Sequence, residues 1–186
     1  MKYPSYITIS KSAVQNNIRF LREQYGDGVR ISSVVKANAY GHGIMQFVPI
    51  AEDCGIDHFS VFSMDEAQLV KKSLRNKADI MVMGWIHPND VELAIMQGIE
   101  IYIFEPETLK VAIAAANKLG EPAILHLEIE TGMNRTGLTS AELKEAVKMI
   151  KSNADHVHIR GLCTHYAGAE SISNYVRIQN QIKNFN

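Results

Sequence analysis

The chain has 186 residues, of which 46% are apolar, and its formal net charge at pH 7 is −1. This balance predicts a single domain over residues 1–186 with a sizeable core, and it argues against disorder. Because the charge is near zero and no long run of like charges occurs, we expect a small-molecule ligand rather than a nucleic-acid or membrane-surface partner.

The cysteines and the apolar segments indicate the compartment. Cys54 and Cys163 lie far apart and outside any Cys-x-x-Cys spacing, so the sequence predicts neither a disulfide framework nor a thiolate metal site. The first residues contain no long apolar segment, and no stretch reaches the roughly 18 apolar residues that a membrane span requires. We therefore expect a soluble protein of the reducing cytoplasm.

Apolar segments of strand length alternate with helical patterns along the chain. The predicted strands are residues 31–35, 59–62, 80–83, 101–104, 124–129 and 157–163. Four of the helical stretches carry start signals, in the form of two capping boxes and two first-turn prolines. These signals are Ser63 with Glu66, Thr139 with Glu142, Pro88 and Pro106.

Three helices are marked by apolar stripes, two of which we assign directly to the core. The first of these follows a short predicted strand, Ile7 to Ile9, and carries Val14, Ile18, Leu21 and Tyr25. The second ends at Gly120 and carries Leu109, Ala112, Ile113, Ala116 and Leu119. The last helix, Tyr175 to Phe185, has the stripe Ile178, Ile182 and Phe185.

Repeated strand and helix units predict a parallel sheet, either doubly wound or closed into a barrel. The direction of the side chains favours the barrel, because barrel strands turn one face inward and carry catalytic groups at their C-terminal ends. Between residues 126 and 130, His126, Glu128 and Glu130 point one way and the two apolar residues the other. Gly161, Cys163 and His165 likewise share one face. We predict an incomplete (β/α)8 TIM-type barrel with about six of its eight units.

Lys36 lies at the C-terminal end of the first long strand and is followed by a loop that ends in Gly41-His42-Gly43. A buried ammonium group is costly, and a desolvated lysine changes its pKa readily, which is why lysine serves in Schiff bases. On this residue alone, a lysine that simply reaches solvent from a strand end is the competing interpretation.

The segment from Val34 to Gly43 resembles the pyridoxal 5′-phosphate (PLP) attachment motif of bacterial alanine racemases. This resemblance implies that Lys36 forms the internal aldimine and acts as one of two Cα acid/base groups, and that Tyr40 binds the cofactor phosphate. Racemisation needs a base on each face of the planar carbanion. In the family, the second base is a tyrosine of a C-terminal β domain of the partner subunit. We therefore expect a homodimer for the full-length protein, with that β domain absent from this chain.

Two further segments resemble the same family. His126 to Gly137 is similar to the strand-five segment, which implies that Arg135 hydrogen-bonds the phenolic oxygen of PLP and approaches the substrate carboxylate. Gly161 to Ala167 is similar to the strand-six segment, which implies that His165 packs against the pyridine ring. The resemblance thus assigns Lys36, Arg135 and His165 as catalytic, and the same three with Tyr40 as cofactor-binding.

Glu128 departs from the family pattern. Many members carry a lysine at this position that becomes carbamylated and holds the arginine through its new negative charge. A glutamate supplies the same sign of charge without modification, although its side chain is shorter. We hypothesise that Glu128 pairs directly with Arg135.

Seven histidines invite a metal interpretation, in particular His156 and His158, which share one strand face. His158 and His165 are about 23 Å apart at roughly 3.3 Å per strand residue, so no single ion joins them. His156 and His158 also fall at the N-terminal end of their strand, away from barrel catalysis. We predict no metal site. The segment Gly41-His42-Gly43 lacks the spacing of a nucleotide-binding loop.

The resemblance implies a PLP-dependent amino-acid racemase that interconverts L-alanine and D-alanine for cell-wall peptidoglycan. Two alternatives stay open: a PLP-binding fragment without racemase activity, and a related racemase of serine or lysine. Open barrel edges expose unpaired strands. We therefore expect the isolated 186-residue chain to racemise alanine slowly or not at all.

Overall fold

The structure is a computed structural model that describes residues 5–168 and 170–186. The chain divides into two compact units, Met1–Gly84 and Trp85–Asn186, and the expectation of a single domain stays a prediction. Each unit alternates parallel strands with helices. Among the described residues, no helix is both long enough and apolar enough to cross a membrane.

The unit Met1–Gly84 contains three parallel strands in sequence order. Ser33 of β1 is paired with Phe59 of β2, and His58 of β2 with Asp79 of β3. All four residues of β2 are buried, so this strand forms the centre of the unit. The elements are α1 Lys11–Tyr25, β1 Ser33–Val34, α2 Ile44–Asp53, β2 His58–Val61, α3 Met64–Ser73 and β3 Asp79–Val82.

The unit Trp85–Asn186 contains another three parallel strands, and β5 lies between β4 and β6. The alanine-rich helix α5 supplies much of the core of this unit. The elements are α4 Pro88–Met96, β4 Glu100–Ile103, α5 Pro106–Leu119, β5 Ala123–Glu128, α6 Ser140–Lys151, β6 Val157–Cys163, a 3-10 turn Ile172–Asn174 and α7 Tyr175–Phe185.

All six main predicted strands are present, most of them displaced by a single residue, and the first is shortened to Ser33–Val34. The prediction of a strand at Ile7 to Ile9 is wrong. Residues 5–10 form neither helix nor strand, and Ile7 is exposed. A strand is stable only when a neighbouring strand satisfies its backbone groups, and among the described residues none pairs with this segment.

Most of the predicted helix starts are confirmed. Pro88 and Pro106 open α4 and α5, where the missing N–H costs nothing. Thr139 and Glu142 form a complete capping box at α6. At α3, the Ser63 hydroxyl accepts the backbone N–H of Glu66, but the Glu66 side chain does not return to Ser63.

The predicted core stripe of α5 is confirmed, because Leu109, Ala112 and Ala116 are fully buried. The equivalent prediction for α1 is wrong, since no residue of this helix is buried and Tyr25 is exposed. The α1 side chains line an open groove instead of a filled interior. Val14, Ile18, Leu21, Phe47 and Ile56 are among the residues of that groove.

The alternation predicted for β5 is present, with Leu125 and Leu127 buried on one face. His126 lies on the other face, where its Nδ1 is 3.9 Å from Cys163 Sγ of β6. The register shifts between Leu125 and His126, so that Arg160 is an extra residue on β6. This irregularity places Gly161 and Cys163 on the same side of the sheet as His126.

Candidate active site

Lys36 lies two residues after the end of β1, and its side chain is half-buried. The next four residues, Ala37 to Tyr40, all have left-handed backbone conformations, with φ between 52° and 54°. Each non-glycine residue in this conformation costs roughly 1 kcal/mol. Strain of this kind persists only where the surrounding structure holds it, and it is concentrated at functional sites.

Backbone and side-chain hydrogen bonds close this left-handed turn. The N–H of Ala39 donates to Val35 O at 2.8 Å, and the N–H of Gly43 donates to Asn38 O at 2.8 Å. The Asn38 side chain accepts the N–H of Ile44 at 2.9 Å and thereby connects the turn to the start of α2. Asparagine tolerates this conformation better than alanine does.

Glu66, in the first turn of α3, binds the left-handed turn that follows Lys36. Its carboxylate accepts the backbone N–H of Ala37 at 2.6 Å and that of Phe62 at 2.9 Å. One side chain therefore connects the residue after Lys36 to the end of β2. The sequence signal at Glu66 is a capping box, and the structure uses the same carboxylate to position the turn instead.

The two predicted site residues of this unit are accessible. The Tyr40 phenol lies at the end of the turn and is 61% exposed. Among residues 5–168 and 170–186, no carboxylate lies within 4 Å of the Lys36 amine. A half-buried amine without an acidic partner is suited to reaction with a carbonyl group.

Arg135 lies in the loop between β5 and α6, and its side chain is exposed. A bridge between Ile129 and Leu138 closes this loop. Within it, the Glu130 carboxylate accepts the backbone N–H groups of Gly132 and Asn134. The loop that carries Arg135 is therefore held internally, although the guanidinium group itself is free to meet a ligand.

His165 follows β6, and its ring is exposed. Its carbonyl oxygen accepts a hydrogen bond of 2.8 Å from the side-chain amide of Gln181 on α7. The sequence pattern does not indicate Gln181, because the apolar stripe of α7 is formed by other residues. A glutamine between two apolar residues of that stripe was the available signal.

Ionisable side chains cover one face of the sheet in this unit. His126 Nε2 lies 2.5 Å from the Glu100 carboxylate. Burial lowers the pKa of His126, but the hydrogen bonds with Cys163 and Glu100 outweigh burial and raise this pKa to about 9. Arg160 Nε is 3.3 Å from the other Glu100 oxygen. The buried carboxylate thus lies between two cationic groups.

Glu128 and Arg135 both affect the pKa of a third residue, Tyr102. Burial raises the pKa of the Tyr102 phenol, Cys163 and Glu128 raise it further, and Arg135 lowers it. Glu128 is buried, at 3% exposure. Within the part of the chain that the structure describes, no ion pair within 4 Å joins Glu128 to Arg135. The hypothesised direct pair is therefore not formed, and the two charges instead shift the pKa of Tyr102 in opposite directions.

The four predicted site residues fall into two pairs. Lys36 and Tyr40 belong to one turn after β1, in the unit Met1–Gly84. Arg135 and His165 follow the neighbouring strands β5 and β6, in the unit Trp85–Asn186. All four residues follow the C-terminal ends of parallel strands, which is where barrel enzymes place their catalytic groups.

Comparison with known proteins places the chain among relatives of one kind. Residues 9–186 match the family model "Alanine racemase, N-terminal domain". The alanine racemase of Symbiobacterium thermophilum is 32% identical over 177 residues, which cover 95% of this chain and 46% of that protein. The alanine racemase of Streptococcus uberis is 36% identical over 171 residues, which cover 90% and 44%. The chain thus spans about half the length of these relatives.

Solved structures give the same result. An alanine racemase from Bacillus anthracis with bound L-Ala-P has a TM-score of 0.84 and 27% identity, over 98% of this chain and 48% of that one. A histidine racemase from Leuconostoc mesenteroides has a TM-score of 0.85 and 26% identity, over 95% and 47%. These similarities confirm the predicted fold class, a (β/α)8 barrel of which this chain supplies six strands. The chain belongs to the alanine racemase family.

Proposed function

We propose that the protein is a PLP-dependent racemase that interconverts L-alanine and D-alanine, for use in cell-wall peptidoglycan. The observation that carries this proposal is the half-buried Lys36 amine, held at the end of β1 by a strained left-handed turn. Membership of the alanine racemase family supports the same reaction. We further propose a cytoplasmic location, and a homodimer for the full-length protein.

The residues present fit PLP by their chemistry. PLP carries an aldehyde and a phosphate, so it needs a primary amine and groups that bind anions. Lys36 offers the amine without a carboxylate within 4 Å among the described residues, and the exposed Tyr40 phenol is free to donate to the phosphate. Arg135 and His165 offer a fixed cation and an aromatic ring. Bound PLP would supply the electron sink that acidifies the Cα–H of an amino acid.

Each of these side chains has a distinct task in the proposed reaction. Lys36 Nζ holds the cofactor and afterwards takes or returns the Cα proton on one face of the substrate. The Arg135 guanidinium orients the substrate carboxylate. His165 supports the cofactor ring. The base for the opposite face is not assigned to any of these four residues.

Lys36 can be tested directly. We expect the 186-residue chain to take up PLP with a visible absorbance band that borohydride reduction removes, and intact-mass analysis to show one added cofactor. Lys36→Ala should show neither, whereas Lys72→Ala, a change to an exposed lysine of α3, should behave as wild type. Addition of the cofactor in Lys36→Ala, or its absence from wild type, would overturn the assignment of Lys36.

A second candidate is racemisation of an amino acid other than alanine. The similarity in structure to a histidine racemase favours it, because that relative and the alanine racemases resemble this chain equally well. We propose alanine on the greater number of alanine racemases among the relatives. Comparing the loss of optical rotation for L-alanine, L-serine, L-lysine and L-histidine in the full-length protein distinguishes the candidates.

A further inference from the structure

We propose that Gln181 is a positioning residue that fixes the strand end of His165 to the loop of Arg135. The proposal rests on the proposed function for the roles of those two residues, but the contacts themselves do not depend on it. All of the groups involved belong to the unit Trp85–Asn186. Gln181 lies in the middle of α7 and is only 1% exposed.

Every polar atom of the Gln181 side chain has a partner. Oε1 accepts the backbone N–H of Ala167 at 3.0 Å. Nε2 donates to His165 O at 2.8 Å and to Thr131 Oγ1 at 3.2 Å. An amide has one acceptor oxygen and two donor hydrogens, so this environment satisfies it in only one orientation. An apolar side chain of the same size would leave the Ala167 N–H without its partner.

Thr131 continues the connection to the end of β5. Its hydroxyl lies 2.7 Å from the hydroxyl of Thr164. Thr164 Oγ1 in turn donates to Ile129 O at 3.0 Å. These bonds join the backbone that enters the loop of Arg135 to the backbone that leads to His165. The amide of Gln181 connects the same two segments from the side of α7.

Two neighbours on α7 extend the contact along the loop of Arg135. The Arg177 guanidinium donates to Gly132 O at 3.0 Å and to Met133 O at 3.2 Å. The Asn184 side chain donates to Thr131 O at 2.9 Å. Positions 177, 181 and 184 share one face of a helix. This polar face of α7 binds both loops, and Gln181 is the member that reaches the two at once.

Burial distinguishes this arrangement from ordinary helix packing. A buried amide is costly unless all of its hydrogen bonds are made. An apolar residue would pack α7 against the sheet without this cost. Because the bonds are complete, a buried polar group of this kind specifies one arrangement of the segments around it. Arg135 and His165 must act on one small ligand, and fixing their backbones removes freedom that binding would otherwise have to restrict.

The test is amide hydrogen exchange by NMR on the 186-residue chain. Gln181→Met keeps the size of the side chain and removes its amide. We expect the Ala167 N–H to exchange about tenfold faster, as the loss of one buried hydrogen bond predicts, while the amides within α7 stay protected. Gln181→Glu retains an acceptor for Ala167 but loses the donor to His165 O, so it should restore the protection of Ala167 only in part. Ile178→Val, a packing change on α7, should leave Ala167 as in wild type.

The proposal is overturned if Gln181→Met leaves the amide exchange of Ala167 unchanged. It is also overturned if the exchange of the α7 amides and that of Ala167 become faster to the same extent. In the second case Gln181 serves only the packing of the helix. Thr131→Val provides a second route if Gln181→Met does not fold, since it removes the connecting hydroxyl alone and should speed exchange in the loop of Arg135. Unchanged loop exchange in Thr131→Val counts against the proposal. Failure of wild type to bind PLP would refute the proposed function, but it would not change the interpretation of these exchange results.

Discussion

Replacing Glu66 with alanine removes the carboxylate that connects the turn after Lys36 to the end of β2. Two backbone N–H groups, those of Ala37 and Phe62, then lose their acceptor. The turn itself is strained over four residues, and left-handed alanines do not hold this conformation unaided. We therefore expect Glu66→Ala to loosen the turn and destabilise the protein.

The magnitude follows from the two hydrogen bonds. A hydrogen bond to a charged group contributes about 1.5 to 3 kcal/mol when buried. Glu66 is only half-buried, so we take the lower end for each bond and expect a loss of about 3 kcal/mol for alanine. Glu66→Gln keeps one acceptor oxygen and turns an NH2 group toward the second N–H, so we expect it to lose about half as much.

Urea unfolding at pH 7 measures the loss, and amide exchange of Ala37 localises it. Asp65→Asn is the matched control, because Asp65 lies in the same first turn of α3 and is exposed. That change should alter the free energy of unfolding by less than about 1 kcal/mol. If Glu66→Ala and Asp65→Asn unfold at the same urea concentration, or if Ala37 keeps its protection in Glu66→Ala, the carboxylate does not hold the turn.

Two further predictions concern the ionisable face of β4 and β5. Because the pKa of His126 is raised to about 9, its contribution to stability is complete below about pH 6.5 and is lost as the pH rises through 9, to a total of about 3 kcal/mol. Urea unfolding from pH 6 to 10 measures this loss, and Glu100→Gln should reduce it in part, because Cys163 also raises the pKa of His126. Glu128 is buried and has no cation within 4 Å among the described residues, so Glu128→Gln should raise the free energy of unfolding by about 1 kcal/mol. Urea unfolding at pH 7 measures this gain, and an unchanged or lower free energy of unfolding in Glu128→Gln would contradict the prediction.

Local patterns were sufficient to predict most of the fold. An apolar run of strand length is visible without knowledge of its partners, and so is a proline or a capping box at a helix start, because each depends on residues close in sequence. The same patterns were misleading for α1, whose apolar stripe lines an open groove. Periodicity identifies which face of a helix is apolar, but it does not determine how completely another element covers that face.

Local sequence patterns indicate only part of the candidate site. Lys36, Tyr40, Arg135 and His165 were found through resemblance to a family, because a lysine at a strand end is not distinctive by itself. The left-handed turn could not be predicted, since Ala37 and Ala39 have no preference for that conformation. The extra residue on β6 was equally hidden, because a bulge depends on the register between two strands.

The side chains that hold the site were missed for a common physical reason. Glu66 and Ala37 are 29 positions apart, and Gln181 and Thr131 are 50 apart, so neither contact leaves a local pattern. Each side chain also fits an ordinary explanation in sequence: Glu66 as a cap, Gln181 as a helix residue. Most of their hydrogen bonds are made with backbone groups, and the bond from Gln181 to the Thr131 hydroxyl is the exception. A backbone partner has no residue identity, so no second residue marks the contact, and only the folded chain reveals that these two residues fix the segments beside Lys36, Arg135 and His165.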